Sequence, residues 1–194
     1  MLPKGSIAKI YDYYFNEPRY KDELMPALRE FLDRPDLDMG GSLELSQGGI
    51  GLFNEWFLYN FKLANGKTVL ADFVAENPLN ISVDDMALYK DLLKTNVYSL
   101  YEVVSVDVEK GLMLKNLRTK KNVYVQERSL TYQVKPGGMS FLRVAKIDGH
   151  YEIVGADSFL IDGLIGGVIK KLIAKSDFEL TPKFTNSLWQ KNKK

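Results

Sequence analysis

The stretch YSLYEVVSVDV, Tyr98 to Val108, marks a change of period along the chain. Its second half is β-branched and alternates Val104, Val106 and Val108 with Ser105 and Asp107, the two-residue repeat of a strand. Lys110-Gly111 turns the chain and Leu112 to Leu117 returns it. After a second turn over Arg118 to Lys121 comes VYVQE, Val123 to Glu127, and Lys135-Pro-Gly-Gly138 marks a third turn. Met139 to Ile147 and Tyr151 to Val154 then flank Asp148-Gly149, a dipeptide suited to a two-residue hairpin. Five short strands without long helices between them predict a small antiparallel sheet or β-barrel over residues 96–160.

On the amino-terminal side the period is helical. Ser6 is placed to cap a helix through Tyr14, carrying Ile7, Ile10, Tyr11 and Tyr14 on one stripe. Tyr20 to Arg34 repeats the pattern through Leu24, Leu28, Phe31 and Leu32, with Pro26 forcing a late start or a kink. Residues 35–51, rich in Gly, Asp and Ser, read as a loop and an internal boundary. Leu52 to Phe61 is dense in aromatics and fits either a helix or a buried extended segment. Thr68 caps a helix carrying Val69, Leu70, Phe73 and Val74, and Ser82-Val-Asp-Asp85 opens another to about Lys94.

Beyond the strands, Leu160 to Lys175 returns to helix with one broad apolar stripe, and Lys191 to Lys194 forms a basic tail. The expected fold is therefore α+β. A helical region (1–95) precedes the strand module (96–160), and a closing helix with a basic tail (161–194) follows it.

Composition narrows the chemistry. The 194 residues include 45% apolar and 26% charged side chains, which suits a soluble globular chain. There is no cysteine, so thiol nucleophiles, thiolate zinc and iron–sulfur clusters are excluded. The single histidine, His150, excludes sites built on two histidines. No apolar run suits a signal peptide or a membrane span, and the expected location is cytoplasmic. Net charge is +1, but residues 1–94 hold 10 basic and 15 acidic side chains whereas 95–155 hold 9 and 6. An acidic first half thus precedes a basic second half.

Short motifs resolve mostly into turns and caps. Gly66-Lys67-Thr68 ends like a phosphate-binding loop, but the required earlier glycine position holds Phe61. Gly48-Gly49-Ile50-Gly51 lacks the third glycine of a dinucleotide fingerprint, where Asn54 stands. Asp36, Asp38 and Gly40 open like a calcium loop, but its twelfth position holds Gln47 rather than glutamate. No cofactor or metal is expected.

The strand module carries the surface with most chemical content: Lys110, Lys115, Arg118, Lys120, Lys121, Arg128 and Arg143, interleaved with Tyr124 and Tyr132. Alternation from Val123 to Glu127 points Tyr124 away from Val123 and Val125, so a core made of the valines leaves the ring outside. Small barrels bind single strands by stacking bases on such rings while cations follow the backbone.

Five short segments carry a family resemblance: Phe53-Asn-Glu-Trp-Phe57, Asn65-Gly-Lys-Thr68, Ser99-Leu-Tyr-Glu-Val103, Glu127-Arg-Ser129 and Lys135-Pro-Gly-Gly138. Over about residues 50–160 the chain resembles a class of bacterial proteins of unassigned function, in which a similar helical-then-strand region often precedes a cysteine-rich zinc tail of the SEC-C type. Without cysteine, that tail and its zinc do not carry over, and the resemblance supplies no catalytic residue.

The reading these observations favour is a non-enzymatic binding protein. Its barrel face, through Lys115, Arg118, Lys120, Lys121, Tyr124 and Arg128, would contact single-stranded nucleic acid or another anionic partner such as an acidic protein. The alternative is a protein-interaction or homo-oligomerising module using Leu164, Ile165, Val168, Ile169 and Leu172 on the apolar helix. A second alternative is an enzyme working with carboxylates alone, drawn from Asp36, Asp38, Glu44 and Glu55.

Overall fold

The computed structural model describes residues 1–38, 45–156, 167, 169, 171 and 179–192. The chain divides into two compact units: a helical unit of Leu2–Leu93 with Thr181–Lys194, and a strand unit of Lys94–Leu180 with Met1. The fold is α+β.

In the helical unit, α1 (Ser6–Asn16) leads through a 3-10 turn (Pro18–Tyr20) into α2 (Lys21–Leu32). The cap position of α1 is Gly5, in the left-handed region at φ 82°, and Ser6 instead donates its hydroxyl to the Pro3 carbonyl at 2.6 Å. Pro26 lies inside α2, which runs through it; its missing N–H removes one bond of the ladder. Helix α3 (Gln47–Tyr59) begins inside the stretch expected to be loop. The Ser46 hydroxyl accepts from the Gly49 N–H at 3.2 Å, so a side-chain cap starts a helix whose first turns are glycines. Gly48, Gly49 and Gly51 therefore belong to a helix and make no phosphate-binding loop.

The aromatics of α3 build the core of this unit. Phe31 meets both Phe53 and Trp56 at 5.5 Å between ring centres, and Phe57 stacks on Phe15 at 5.8 Å and on Phe61 at 5.5 Å. Rings at these separations add attraction beyond their buried area.

Helix α4 (Val69–Glu76) is capped as its sequence indicates, the Thr68 hydroxyl accepting from the Ala71 N–H at 3.2 Å. Gly66, at φ 79°, supplies the preceding turn, so Gly66-Lys67-Thr68 is a turn and a cap. Thr68→Ala is expected to cost the helical unit about 1 kcal/mol, read by chemical denaturation, whereas Thr68→Ser should retain most of the stability. Ser82 caps α5 (Val83–Thr95) through the Asp85 N–H at 3.2 Å. The terminal helix α6 (Pro182–Asn192) packs on α3 and α2.

The strand unit contains β1 (Val97–Asp107), β2 (Gly111–Asn116), β3 (Asn122–Gln126), β4 (Met139–Ile147) and β5 (His150–Ala156). They close into a ring in the order β1-β2-β3-β5-β4. The sheet is mixed rather than wholly antiparallel, because β3 and β5 run parallel through Val125↔Tyr151. A ring of five strands cannot alternate direction all the way round, so closure requires at least one parallel neighbour.

Strand β1 serves two partners, β4 along Val97–Glu102 and β2 along Tyr101–Asp107, with a register shift between Val103 and Ser105. Such a bulge bends and coils a long strand, which closure of a small ring needs. Asp148 and Gly149 both have positive φ, 48° and 80°, and join Ile147 to His150 as a two-residue hairpin of the type whose twist matches its strands. Tyr101, Val103, Leu112, Leu114, Val125, Leu142 and Val144 fill the interior, with Val106, Val123, Leu130, Val134 and Ile153 packed around them.

Candidate functional site

The outward face of the β2–β3 ribbon follows from the inward one. Leu112, Leu114, Val123 and Val125 face the core, so Met113 and Lys115 on β2, and Asn122, Tyr124 and Gln126 on β3, face out. Register places Met113 opposite Tyr124 and Lys115 opposite Asn122, so Lys115 and Tyr124 are diagonal neighbours on one face.

Gly111 controls the posture of Tyr124. A methyl group built on Gly111 would stand 2.8 Å from the Tyr124 hydroxyl oxygen and 2.9 Å from its Cζ, and would collide with the Val125 carbonyl oxygen. The tip of the ring thus occupies the place where a side chain at 111 would be, and the ring lies along the sheet. It remains 40% exposed. A ring laid on a glycine in this way protects the sheet and presents an aromatic surface to solvent.

Asn116 anchors the β2–β3 turn: its N–H donates to the Lys121 carbonyl at 2.9 Å and its carbonyl accepts from the Lys120 N–H at 2.8 Å. Asn116 Oδ1 accepts from the Arg118 N–H at 2.9 Å, the Thr119 N–H at 3.0 Å and the Ser99 hydroxyl at 3.2 Å. Lys120 takes a left-handed conformation at φ 63° and donates its ammonium to the Leu117 carbonyl at 2.6 Å. Arg118, Lys120 and Lys121 are all exposed at this end of the ribbon.

Arg128 lies past the opposite end, where β3 stops, and pairs with Glu109 at 3.9 Å. Lys110 pairs with Asp107 at 3.6 Å. The six expected residues are therefore spread along the ribbon: a cationic turn with Lys115 next to it, Tyr124 in the middle, and Arg128 screened by a carboxylate at the far end. Glu102 sits opposite Lys115 across β1–β2 and adds negative charge near the turn.

Arg143 does not belong to the exposed cations. It is 3% exposed, donates to Asn96 Oδ1 at 2.8 Å and lies 5.3 Å from the centre of the Tyr98 ring. Alternation would put it outside, but β4 is buried on both faces from Met139 to Ala145. His150 is exposed beside Gln126, with 3.4 Å between Nδ1 and the amide nitrogen.

Of the apolar stripe at 160–173, Leu164, Ile165, Val168 and Leu172 lie outside the described residues; Ile169 is buried. Among the acidic candidates Asp36 and Asp38 are exposed, Glu55 is buried, and Glu44 and Gly40 lie outside the described residues. Among the described residues no three His, Cys, Asp or Glu side chains gather to hold a metal ion, and no helix is long and apolar enough to cross a membrane.

One cluster was not legible from motifs. In the helical unit the Asp72 carboxylate, 2% exposed, accepts from the hydroxyls of Tyr20 at 2.6 Å and Tyr14 at 2.8 Å and from the Asn65 amide at 2.8 Å. Burial by itself would push its pKa up; the bonds from Tyr20, Tyr14 and Asn65, with the charge of Lys67, outweigh that and hold it below the usual aspartate value. Burial and the same carboxylate push the Tyr14 and Tyr20 hydroxyls well above the ordinary tyrosine range. All the groups are satisfied and locked, and what they do chemically is to fix α1, α4 and the 3-10 turn together.

No curated protein matches the chain. The family match spans residues 44–160, which takes in α3 to α5 and all five strands and covers more than half of the chain. The chain belongs to the family of unknown function DUF7986.

Proposed function

We propose that the strand unit binds single-stranded nucleic acid on the outer face of β2–β3. Tyr124 is the stacking platform, and Lys115 with the cations of the 118–121 turn follows the phosphates. The observation that carries this reading is the Tyr124 ring lying over Gly111 with its surface open to solvent. A base stacked on an aromatic ring contributes about 1–3 kcal/mol whatever its identity. An acidic protein would be drawn to the same cations but has little use for the ring.

The strand order adds support by analogy. In five-stranded oligonucleotide-binding barrels the strand 2–3 face and the 1–2 and 4–5 loops form the ligand surface. Here those are β2–β3, residues 108–110 and the Asp148-Gly149 hairpin, and the Gln126–His150 contact brings the last of these beside β3.

The test is fluorescence anisotropy of a labelled oligothymidine of about twelve nucleotides, titrated at several salt concentrations. Binding is expected at low salt and should weaken steeply as salt rises. Tyr124→Ala should weaken it by about tenfold or more, and Lys115→Ala should flatten the salt dependence by about 0.7 of a logarithmic unit. Absence of binding at about 50 mM salt, or an unaltered affinity in Tyr124→Ala, overturns the reading.

A further inference from the structure

The β1–β2 loop departs from the chemistry its geometry favours. Asp107 and Gly111 are register partners, so residues 108–110 form a three-residue connection, and Glu109 is its left-handed member at φ 67°. Glycine or asparagine is the usual choice there. Glutamate accepts the strained conformation, and its carboxylate is drawn to one place. Oε1 accepts from the Tyr132 hydroxyl at 2.6 Å and stands 3.9 Å from Arg128 Nη2, while the Glu109 N–H donates to Thr131 Oγ1 at 3.2 Å. A guanidinium and a hydroxyl from the segment after β3 thus converge on a single oxygen anion at the end of the ribbon that carries Tyr124.

We propose that Glu109 is an internal stand-in for a ligand phosphate: its carboxylate fills an oxyanion site made by Arg128 and Tyr132, and a phosphate of the bound strand takes its place. The proposal rests on the nucleic-acid reading of the β2–β3 face and gives it a self-screening device. The exchange is cheap on the protein side, because both partners of the ion pair are largely exposed and such pairs contribute little. A phosphodiester matches the carboxylate it displaces, with two non-bridging oxygens sharing one negative charge, and guanidinium binds it with two parallel bonds. The tyrosine hydroxyl then donates to the phosphate as it now donates to the carboxylate.

The experiment uses the full chain with Glu109→Asn, which removes the reach of the carboxylate and suits the positive φ. Oligothymidine affinity is expected to rise about three- to tenfold, and adding Tyr132→Phe to Glu109→Asn should remove most of that gain. An affinity unchanged or lowered in Glu109→Asn overturns the proposal. So does a gain that survives Tyr132→Phe in full, because it then reflects net charge alone. Titration with inorganic phosphate, followed by the NMR signals of the Tyr132 ring, separates this inference from the reading beneath it. Should no variant bind the oligonucleotide, the β2–β3 reading fails. Phosphate shifting Tyr132 in Glu109→Asn more than in the native protein still supports the oxyanion site, and equal or absent shifts refute it.

Discussion

Asp72→Ala is expected to destabilise the helical unit by about 3–4 kcal/mol, more than any other single change described here. The carboxylate accepts three hydrogen bonds, two of them from buried tyrosine hydroxyls that have no water to turn to when it is removed. Each orphaned donor costs about 1–3 kcal/mol, and the methyl group leaves a gap beside the Tyr14 and Tyr20 rings, 4.3 Å apart. Both tryptophans of the chain, Trp56 and Trp189, belong to the helical unit, so denaturation followed by tryptophan fluorescence reads this unit directly.

The same group gives a pH dependence with a definite sign. Its folded pKa lies below the unfolded value, so the stabilisation is complete above the unfolded value of about 3.9 and is lost as pH falls through the folded one. Asp72→Asn should remove this component, giving a smaller loss of stability below about pH 4 than in the native protein. An equally steep acid limb in both proteins contradicts the placement of the charge.

Gly111→Ala is expected to cost the strand unit about 2–3 kcal/mol and to abolish the stacking platform together with it. The added methyl group would meet a main-chain carbonyl, that of Val125, which belongs to the ladder between β2 and β3 and cannot swing aside as a side chain does. It would also lift the Tyr124 ring off the sheet. Tyr124→Ala separates the two effects. Alone it should lose oligonucleotide affinity with a smaller loss of stability. Combined with Gly111→Ala it should relieve only the ring clash, leaving the collision with the carbonyl. Circular dichroism melts of the single and double variants check this, and a Gly111→Ala protein of native stability contradicts the close approach.

How far the sequence could be read depended on the range of the interactions involved. Strand positions follow local alternation and turn chemistry, and the expected strands at 98–108, 112–117, 123–127 and 139–147 overlie β1 to β4 within a residue or so. The Asp148-Gly149 turn was equally legible, because two positive φ values leave few residue choices. The parallel β3–β5 pair was not, since closure of the ring is a property of five strands together. The loop expected over 35–51 failed at its end, where a serine cap outweighed the low helix propensity of three glycines.

At the site, the outward direction of Tyr124 came from its neighbours in sequence, but the support beneath it came from Gly111, thirteen positions earlier and on the adjacent strand. Arg143 was misplaced for the converse reason: its strand alternates, but both of its faces are covered. Asp72 lies in the first turn of α4, where a carboxylate is ordinary, and only folding brings Tyr14 and Tyr20 to it across more than fifty residues.

Strand binding on the β2–β3 face is tested by a map of amide chemical shifts in the full chain as oligothymidine is added at low salt. Shifts are expected to concentrate at Met113, Lys115, Tyr124 and Gln126 and in the 118–121 turn, and to be much smaller along the same strands in Tyr124→Ala at a ligand concentration that does not saturate the native protein. Shifts confined to the helical unit, or none anywhere along β2 and β3, would contradict binding on this face.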